Sequence, residues 1–259
     1  MSRLRARCPR CRTLTAVALG PEYECHSCGG VYRAGLIRVP RAWGRGGEAM
    51  AEAARLPLLY PEVAIVEEET LAAQSLAIAA SLPSRPLVLG GCCCAHVGAI
   101  EGLAARYRRL GVAWLDAHGD LNTPATSPSG NEWGMPLRML IDAGAVDVRD
   151  VVLVGARSLD APEEAFIAES GLGIGVDALT ERLESVDAVY VALDCDVLDP
   201  AAGVPVFVPE PDGLQLEQLE RILAGIVAAR PLAGVGLTGL VADDRALPGL
   251  GRICSALGC

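Results

Sequence analysis

Two segments of the chain place acidic and imidazole side chains at the ends of apolar runs. They are VAWLDAHGDLN, with Asp116, His118 and Asp120, and VYVALDCDVLDP, with Asp194 and Asp196. In an extended backbone alternate side chains share a face, so residues spaced by two converge. Carboxylates gathered at the end of a buried strand repel one another and lose hydration. A bound cation relieves both costs. Oxygen-rich ligation with one imidazole favours Mn²⁺, with Zn²⁺ as the other candidate. Asp116 and Asp194 are suited to bridge two ions that share an activated hydroxide. Asp199, followed by Pro200, reads instead as a turn or capping residue.

A second constellation lies near the N-terminus, where CPRC (Cys8, Cys11) and CHSC (Cys25, Cys28) form two CxxC knuckles. The intervening residues, with a Gly20-Pro21 turn, read as a short hairpin. Four thiolates at this spacing hold a structural Zn²⁺ tetrahedrally, in a module resembling a zinc ribbon. His26 reads as an exposed bystander. Residues 1–34 bury too little surface to fold without metal. The other cysteines are Cys92, Cys93, Cys94, Cys195, Cys254 and Cys259. With no signal peptide evident, metal binding in a reducing, cytoplasmic setting is expected over disulfides.

These groups need a scaffold. From Gly35 onward, short β-rich runs at 36–39, 63–67, 86–90, 112–116, 151–155, 189–194 and 233–240 alternate with helical stretches. The helices are expected at 69–81, 97–109, 134–143, 161–170, 178–184 and 215–229. Such alternation predicts a three-layer α/β fold with a mostly parallel central sheet. Two domains are expected, a zinc-ribbon-like module over 1–34 and an α/β domain over 35–259. Pro40–Gly47 and Asn122–Gly134 are the long loops, each after a strand end, where parallel α/β proteins bind ligands.

The words IRVPRAWGRGG, VLGG (88–91), WLDAHGDLNTPATSPSGN (114–131), GMP (134–136) and ALDCDVLDP (192–200) resemble the ureohydrolase family, arginase and agmatinase among its members. The resemblance covers about residues 35–247. It implies a first ion held by Cys93, Asp116, Asp120 and Asp194, and a second by Asp116, His118, Asp194 and Asp196. It also implies that Asn122, Ser129 and Asn131 hold the α-amino acid end of a substrate, with Asp160 and Glu163 helping to hold its amino group. Trimers or hexamers are the usual assemblies, so a homo-oligomer is expected.

Three departures qualify the resemblance. GGCCC stands where relatives read GGDHS, so the expected histidine ligand is Cys93; thiolate is soft and shifts preference from Mn²⁺ toward Zn²⁺. The alternative is that Cys92, Cys93 and Cys94 are simply small residues near a turn. A histidine-to-cysteine change also resembles relatives that cleave hydroxyarginine. Trp133 stands in place of a histidine credited with proton shuttling, and indole neither gives nor takes a proton near neutral pH. Leaving-group protonation then falls to Asp120 or to bound water. Finally, Val241 matches a glutamate that grips guanidinium, and Asp243 or Asp244 compensates only if its loop turns inward.

Composition narrows the remaining choices. A hydrophobic fraction of 51% excludes a mainly disordered chain, and the apolar runs are too short to span a bilayer. Net charge is −10, yet residues 1–45 carry nine Arg (Arg3, Arg5, Arg7, Arg10, Arg12, Arg33, Arg38, Arg41 and Arg45) against Glu22 and Glu24. This basic front suits the acidic face of a partner subunit better than nucleic acid. All basic residues are Arg, from which no function follows. His96 is expected to pack on the sheet, the alternative being a ligand paired with Cys93. Arg106, Arg108 and Arg109 read as a solvated helix face. No GxGxxG follows a strand, as a nucleotide fingerprint would require, and GxSxG does not occur. Three classes remain: a metal-dependent hydrolase of a linear non-peptide C–N bond in an amino-acid-derived amidine, guanidine or amide; a single-zinc deacylase using Asp116, His118 and Asp196; and an inactive binding protein.

Overall fold

The computed structural model describes residues 5–259; Met1 to Leu4, with Arg3 of the basic front and the start of the 1–34 module, lie outside the described residues. The N-terminal segment forms β1 (Arg5–Ala6), β2 (Ala16–Leu19), β3 (Glu22–Cys25) and β4 (Val31–Tyr32). There follow β5 (Gly35–Val39), α1 (Glu48–Ala53), β6 (Glu62–Ile65), α2 (Leu71–Ser81), β7 (Pro86–Gly90), α3 (Ala95–Ala104) and β8 (Leu110–Leu115). The chain continues through α4 (Pro136–Asp142), β9 (Val151–Val154), α5 (Ala161–Ser170), β10 (Gly173–Ile174) and α6 (Ala178–Leu183). It ends with β11 (Ala188–Asp194), α7 (Leu216–Ala229), β12 (Leu232–Thr238) and α8 (Ala246–Ala256). No described helix is long and apolar enough to cross a membrane.

Eight strands make one parallel sheet in the order β10-β9-β8-β11-β12-β7-β5-β6. Both faces are covered. Along β8, Val112 and Trp114 join one apolar cluster and Ala113 and Leu115 the other, as the two-residue period requires. Side chains of α2, α3, α4 and α5 fill the first cluster; those of α1, α6, α7 and α8 fill the second. Gly98 and Gly102 let α3 approach α2 so closely that a Cβ at Gly102 would lie 2.9 Å from the Ala79 Cα.

Local chemistry sets the helix starts and stops. Thr70 caps α2 by accepting the Ala73 N–H at 3.2 Å. The α5 helix starts where the Glu163 carboxylate takes the Asp160 N–H at 2.9 Å, and stops at Gly171, whose φ of 73° suits a glycine.

Several sequence expectations are corrected. α3 ends at Ala104, so Arg106, Arg108 and Arg109 lie beyond the helix, with Arg106 and Arg108 exposed as expected. Arg106 donates to the Leu82 and Pro83 carbonyls, and Arg109 forms a two-point pair with Asp150 at 2.7 and 2.6 Å. α1 and α8 were not expected. Pro248 sits in the first turn of α8, where its missing N–H costs nothing, and burial of Leu250, Ile253 and Cys254 sustains the helix. Arg38 does not contribute to a basic surface: it is buried, pairs with Glu62 at 2.9 Å and donates to the Ala54 and Leu56 carbonyls.

The four-cysteine segment is hydrogen-bonded as its own antiparallel sheet, but it is not a detached tail. Arg7 and Glu62 exchange two backbone hydrogen bonds of 2.9 Å, which ties the segment to the edge strand β6. Ala6, Ala16 and Tyr23 belong to the same apolar cluster as Val63 and Ile78 of the large domain. Tyr23 is 2% exposed and its hydroxyl has no hydrogen-bond partner among the described residues. Burying an unpaired hydroxyl is unfavourable, so Tyr23→Phe is expected to raise stability by about 1 kcal/mol. Tyr23→Ala should lower it by about 3–5 kcal/mol through the cavity it leaves. Urea unfolding of the whole chain reads both.

Candidate metal centre

The parallel strands all end on one side of the sheet, and at their carboxyl ends a cavity of about 220 Å³ opens. Its floor is Cys93, Asp116, Asp120, Asp194 and Asp196, with His118 beside them. The expected residues do converge, but not by strand alternation. β8 stops at Leu115, and the Asp116 carboxylate turns back to accept the His118 N–H at 2.7 Å. At the end of β11, Asp194 likewise accepts the Asp196 N–H at 3.0 Å and starts a 3₁₀ turn over Cys195–Val197. In both cases a side-chain-to-backbone turn, a habit of aspartate, swings residue i+2 toward residue i. Asp120 has a φ of 54°, a left-handed conformation rare for residues other than glycine, and this directs it to the same floor.

Two sets of three ligand atoms lie within 4.8 Å of one another, Cys93–Asp116–Asp120 and Asp116–His118–Asp196. Asp116 is common to both. Asp194, the other expected bridge, adjoins the first set through a 2.9 Å contact from the Cys93 thiol to Asp194 Oδ2. Asp120 Oδ2 is buried without a hydrogen-bond partner among the described residues. An orphaned carboxylate oxygen facing three further carboxylates and a thiol is what a cation would satisfy, and these donors fit the group that the sequence implies.

Protein contacts fix the ligands from behind. Trp114 Nε1 donates to Asp116 at 3.2 Å, and the Ala117 N–H to Asp196 at 3.1 Å. His118 Nδ1 lies 3.1 Å from Asp196, while its Nε2 lies 3.5 Å from Glu210. Arg157 donates to the carbonyls of Asp196, Val197, Glu210 and Pro211, strapping the segment that carries Glu210 to the β11 turn. Glu210, Met50 and Phe207 were missed by sequence reasoning. Glu210 and Phe207 lie in the loop after β11, and Met50 on the short helix α1, which sequence reasoning did not foresee.

His96 packs on the sheet as expected and is fully buried, with its ring edge-on to Trp114 at 5.1 Å. Burial lowers its pKa to about 3, so the ring is neutral.

The substrate-side expectations divide. Asn122, Ser129, Trp133, Asp160 and Glu163 all line the cavity. Asn122 donates to Asp160 at 2.8 Å. Both Glu163 oxygens are engaged by backbone, from Leu121 and Asp160 at 2.9 Å each, which makes it a brace for the loop. Asn131 accepts the Arg45 N–H at 2.9 Å and, with the Trp133 N–H on the Trp43 carbonyl, locks the two long loops together. Neither Asn131 nor Val241 is among the cavity-lining residues. The cavity-facing position after β12 is Gly239, where a Cβ would overlap the Asp194 carboxylate. Asp243 turns to Arg245 at 2.6 Å and Asp244 is exposed, so the loop does not deliver a replacement acid.

In the N-terminal segment the four cysteine sulfurs lie within 4.8 Å of one another, with Cys8–Cys28 at 3.7 Å and Cys11–Cys25 at 3.5 Å. Around zinc with bonds of about 2.3 Å, tetrahedral sulfurs sit about 3.8 Å apart. The Thr13 hydroxyl, 2.9 Å from Cys11, lowers that thiol to about 5 and favours the thiolate a metal requires. His26 is exposed.

The fold and its edge cluster define a parallel α/β protein whose ligand-type side chains meet at the carboxyl ends of the strands. Residues 50–238 match the profile of the arginase family, and the chain belongs to that family. It is 40% identical over 155 residues to the arginase of Bacillus caldovelox, a match covering 50% of this chain and 52% of that protein. The chain thus spans about half the length of the curated relatives it matches. The crystal structure of arginase from Bacillus subtilis superposes with a TM-score of 0.78 at 24% identity, covering 86% of this chain and 97% of that one. Formimidoylglutamase from Bacillus subtilis gives 0.69 at 19% identity, covering 87% and 86%. These two superpositions establish the fold.

The buried acids set a pH test. Burial, with Asp196 beside it, pushes Asp194 up to about 7; burial and Asp116 push Asp196 up to about 6. Burial opposes charge on His118, but Asp116 and Asp196 outweigh it and raise the ring to about 12. From about pH 4 to 7 the folded metal-free chain keeps protons that the unfolded chain has released, so these acids make stability fall as pH rises. Asp194→Asn removes one of them. In chelator-treated protein, this variant should gain on the wild type by on the order of 3 kcal/mol across that window. Parallel urea midpoints for the two proteins from pH 4 to 7 would contradict the assignment.

Proposed function

We propose that this chain is a metal-dependent hydrolase of a linear non-peptide C–N bond in an amino-acid-derived amidine, guanidine or hydroxyguanidine. The observation that carries the reading is the pair of buried ligand sets sharing Asp116 on the floor of a small-molecule cavity. Cys93, Asp116, Asp120 and Asp194 would hold one ion, and Asp116, His118, Asp194 and Asp196 the other, as Mn²⁺ or, because of the thiol, Zn²⁺. When bound, the ions would polarise the bond to be cleaved and make water a stronger acid. Asn122, Ser129 and Asp160 hold the polar head of the substrate on the cavity wall. Asp120, on the cavity floor, or bound water would pass a proton to the leaving nitrogen. Trp133 cannot do so; its ring packs edge-on against Phe207 at 6.2 Å and shapes the mouth.

The far wall carries no equivalent of a cation-gripping carboxylate, because Gly239 has no side chain and Val241 lies outside the cavity lining. Removing one partner of a closed-site charge pair weakens binding by roughly 2–5 kcal/mol. A less basic group, such as an N-hydroxylated guanidine, suffers less from that loss. The Asp116–His118–Asp196 set is complete without Cys93, which supports a single-zinc deacylase as the second reading. Steady-state kinetics with Mn²⁺ or Zn²⁺ on arginine, Nω-hydroxyarginine, agmatine and N-formyl or N-acetyl amino acids separates these readings. Arginine is expected not to be the best substrate; a kcat/KM for it of about 10⁴ M⁻¹s⁻¹ or more, above all the others, would falsify the substrate assignment. Asp194→Asn should abolish turnover.

We further propose one structural Zn²⁺ on Cys8, Cys11, Cys25 and Cys28. Elemental analysis should find one zinc fewer per chain in a Cys8→Ser, Cys11→Ser double variant. Because the segment shares the large domain's core, that variant should also melt lower. Family membership also supports a homo-oligomer, which light scattering of the whole chain would read.

A further inference from the structure

Behind the first ligand set lies a buried polar chain that the proposed reaction does not use. Tyr190, His96 and Thr238 are each 0% exposed. The Tyr190 hydroxyl lies 3.1 Å from His96 Nδ1, and His96 Nε2 lies 3.2 Å from Thr238 Oγ1. Thr238 Oγ1 in turn lies 3.2 Å from both the Cys93 sulfur and Asp194 Oδ2. Space for the chain is made by Gly236, where a Cβ would overlap His96 Nδ1 and the Tyr190 oxygen.

The direction of this chain follows from counting protons. The buried phenol of Tyr190 keeps its proton, since burial drives its pKa upward, and the acceptor within reach is His96 Nδ1. The neutral ring therefore carries its own proton on Nε2 and donates it to Thr238 Oγ1. That bond occupies a lone pair of the hydroxyl and leaves its single proton for the Cys93–Asp194 pair.

We propose that His96 is a positioning residue which, through Thr238, orients a hydrogen bond onto the Cys93–Asp194 ligand pair and so tunes the sulfur as a metal ligand. This rests on the reading of Cys93 as a ligand. Partners one step behind a ligand fix its orientation and typically change metal affinity 10- to 100-fold when removed. Replacing the imidazole by a group with no N–H frees Thr238 to rotate toward the Leu193 carbonyl, 3.4 Å away, and withdraws the proton from the pair.

The test is titration of the whole chain with Co²⁺, reading the sulfur-to-cobalt absorption as a difference against Cys93→Ser, which subtracts the four-cysteine segment. His96→Phe is expected to weaken Co²⁺ binding about tenfold and to shift the band. His96→Gln, whose amide both accepts and donates, should restore both. Tyr190→Phe, which removes one hydroxyl and keeps the shape of the core, should move the band in the same direction and serves if His96→Phe does not fold. In a Thr238→Val background, His96→Phe should add nothing further, because both act through one hydroxyl. A band and affinity unchanged by His96→Phe and Tyr190→Phe, or effects of His96→Phe and Thr238→Val that simply add, would overturn the relay while leaving Cys93 as a ligand. A wild-type chain with no such band would overturn the ligand role of Cys93 and the proposal with it.

Discussion

The structure depends on concentrating negative charge where water is scarce. Asp116, Asp120, Asp194 and Asp196 are each less than a tenth exposed and share a floor with the Cys93 thiol. In the absence of a cation, burial and mutual repulsion raise the pKa of every one of these carboxylates. Protonation relieves part of the repulsion, and the His118 ring relieves more. The rest of the molecule can then be understood as what holds these groups together against it: a sheet buried on both faces, Asx-type turns at two strand ends, and straps from Trp114, Ala117 and Arg157.

Much of this was legible from sequence. The alternation of apolar runs located seven of the eight sheet strands, because a strand buried on both faces leaves a dense Val, Leu and Ala signature. The eighth, Gly173–Ile174, is too short to leave one. Spacing by two identified Asp116, His118, Asp120, Asp194 and Asp196 as neighbours, but for the wrong geometric reason, since their convergence comes from turns after the strands have ended. No period encodes that. The same limit explains Val241. The resemblance matched Val241 to a pocket residue of the family, whereas the chain turns at Gly239, with a φ of 72°, and carries Val241 away.

Tertiary packing, which sequence patterns do not record, accounts for the remaining differences. Arg38, Arg106 and Arg109 read as surface charge, yet each is held by carbonyl or carboxylate partners distant in sequence. The four-cysteine segment read as a separate domain, and its sulfurs do cluster. Its apolar residues are nevertheless continuous with the core of the large domain, so the two parts are coupled energetically as well as covalently.

That continuity also bears on how copies of the chain can meet. An open parallel sheet has two edges, each a row of unpaired backbone groups able to recruit another strand. Here β6 is partly occupied by Arg7, and at the opposite margin β10 is two residues long. Neither margin offers a long, flat template for a ninth strand. Contacts between copies, where they form, would therefore fall to helical faces and loops, where side-chain complementarity and not backbone pairing selects the partner.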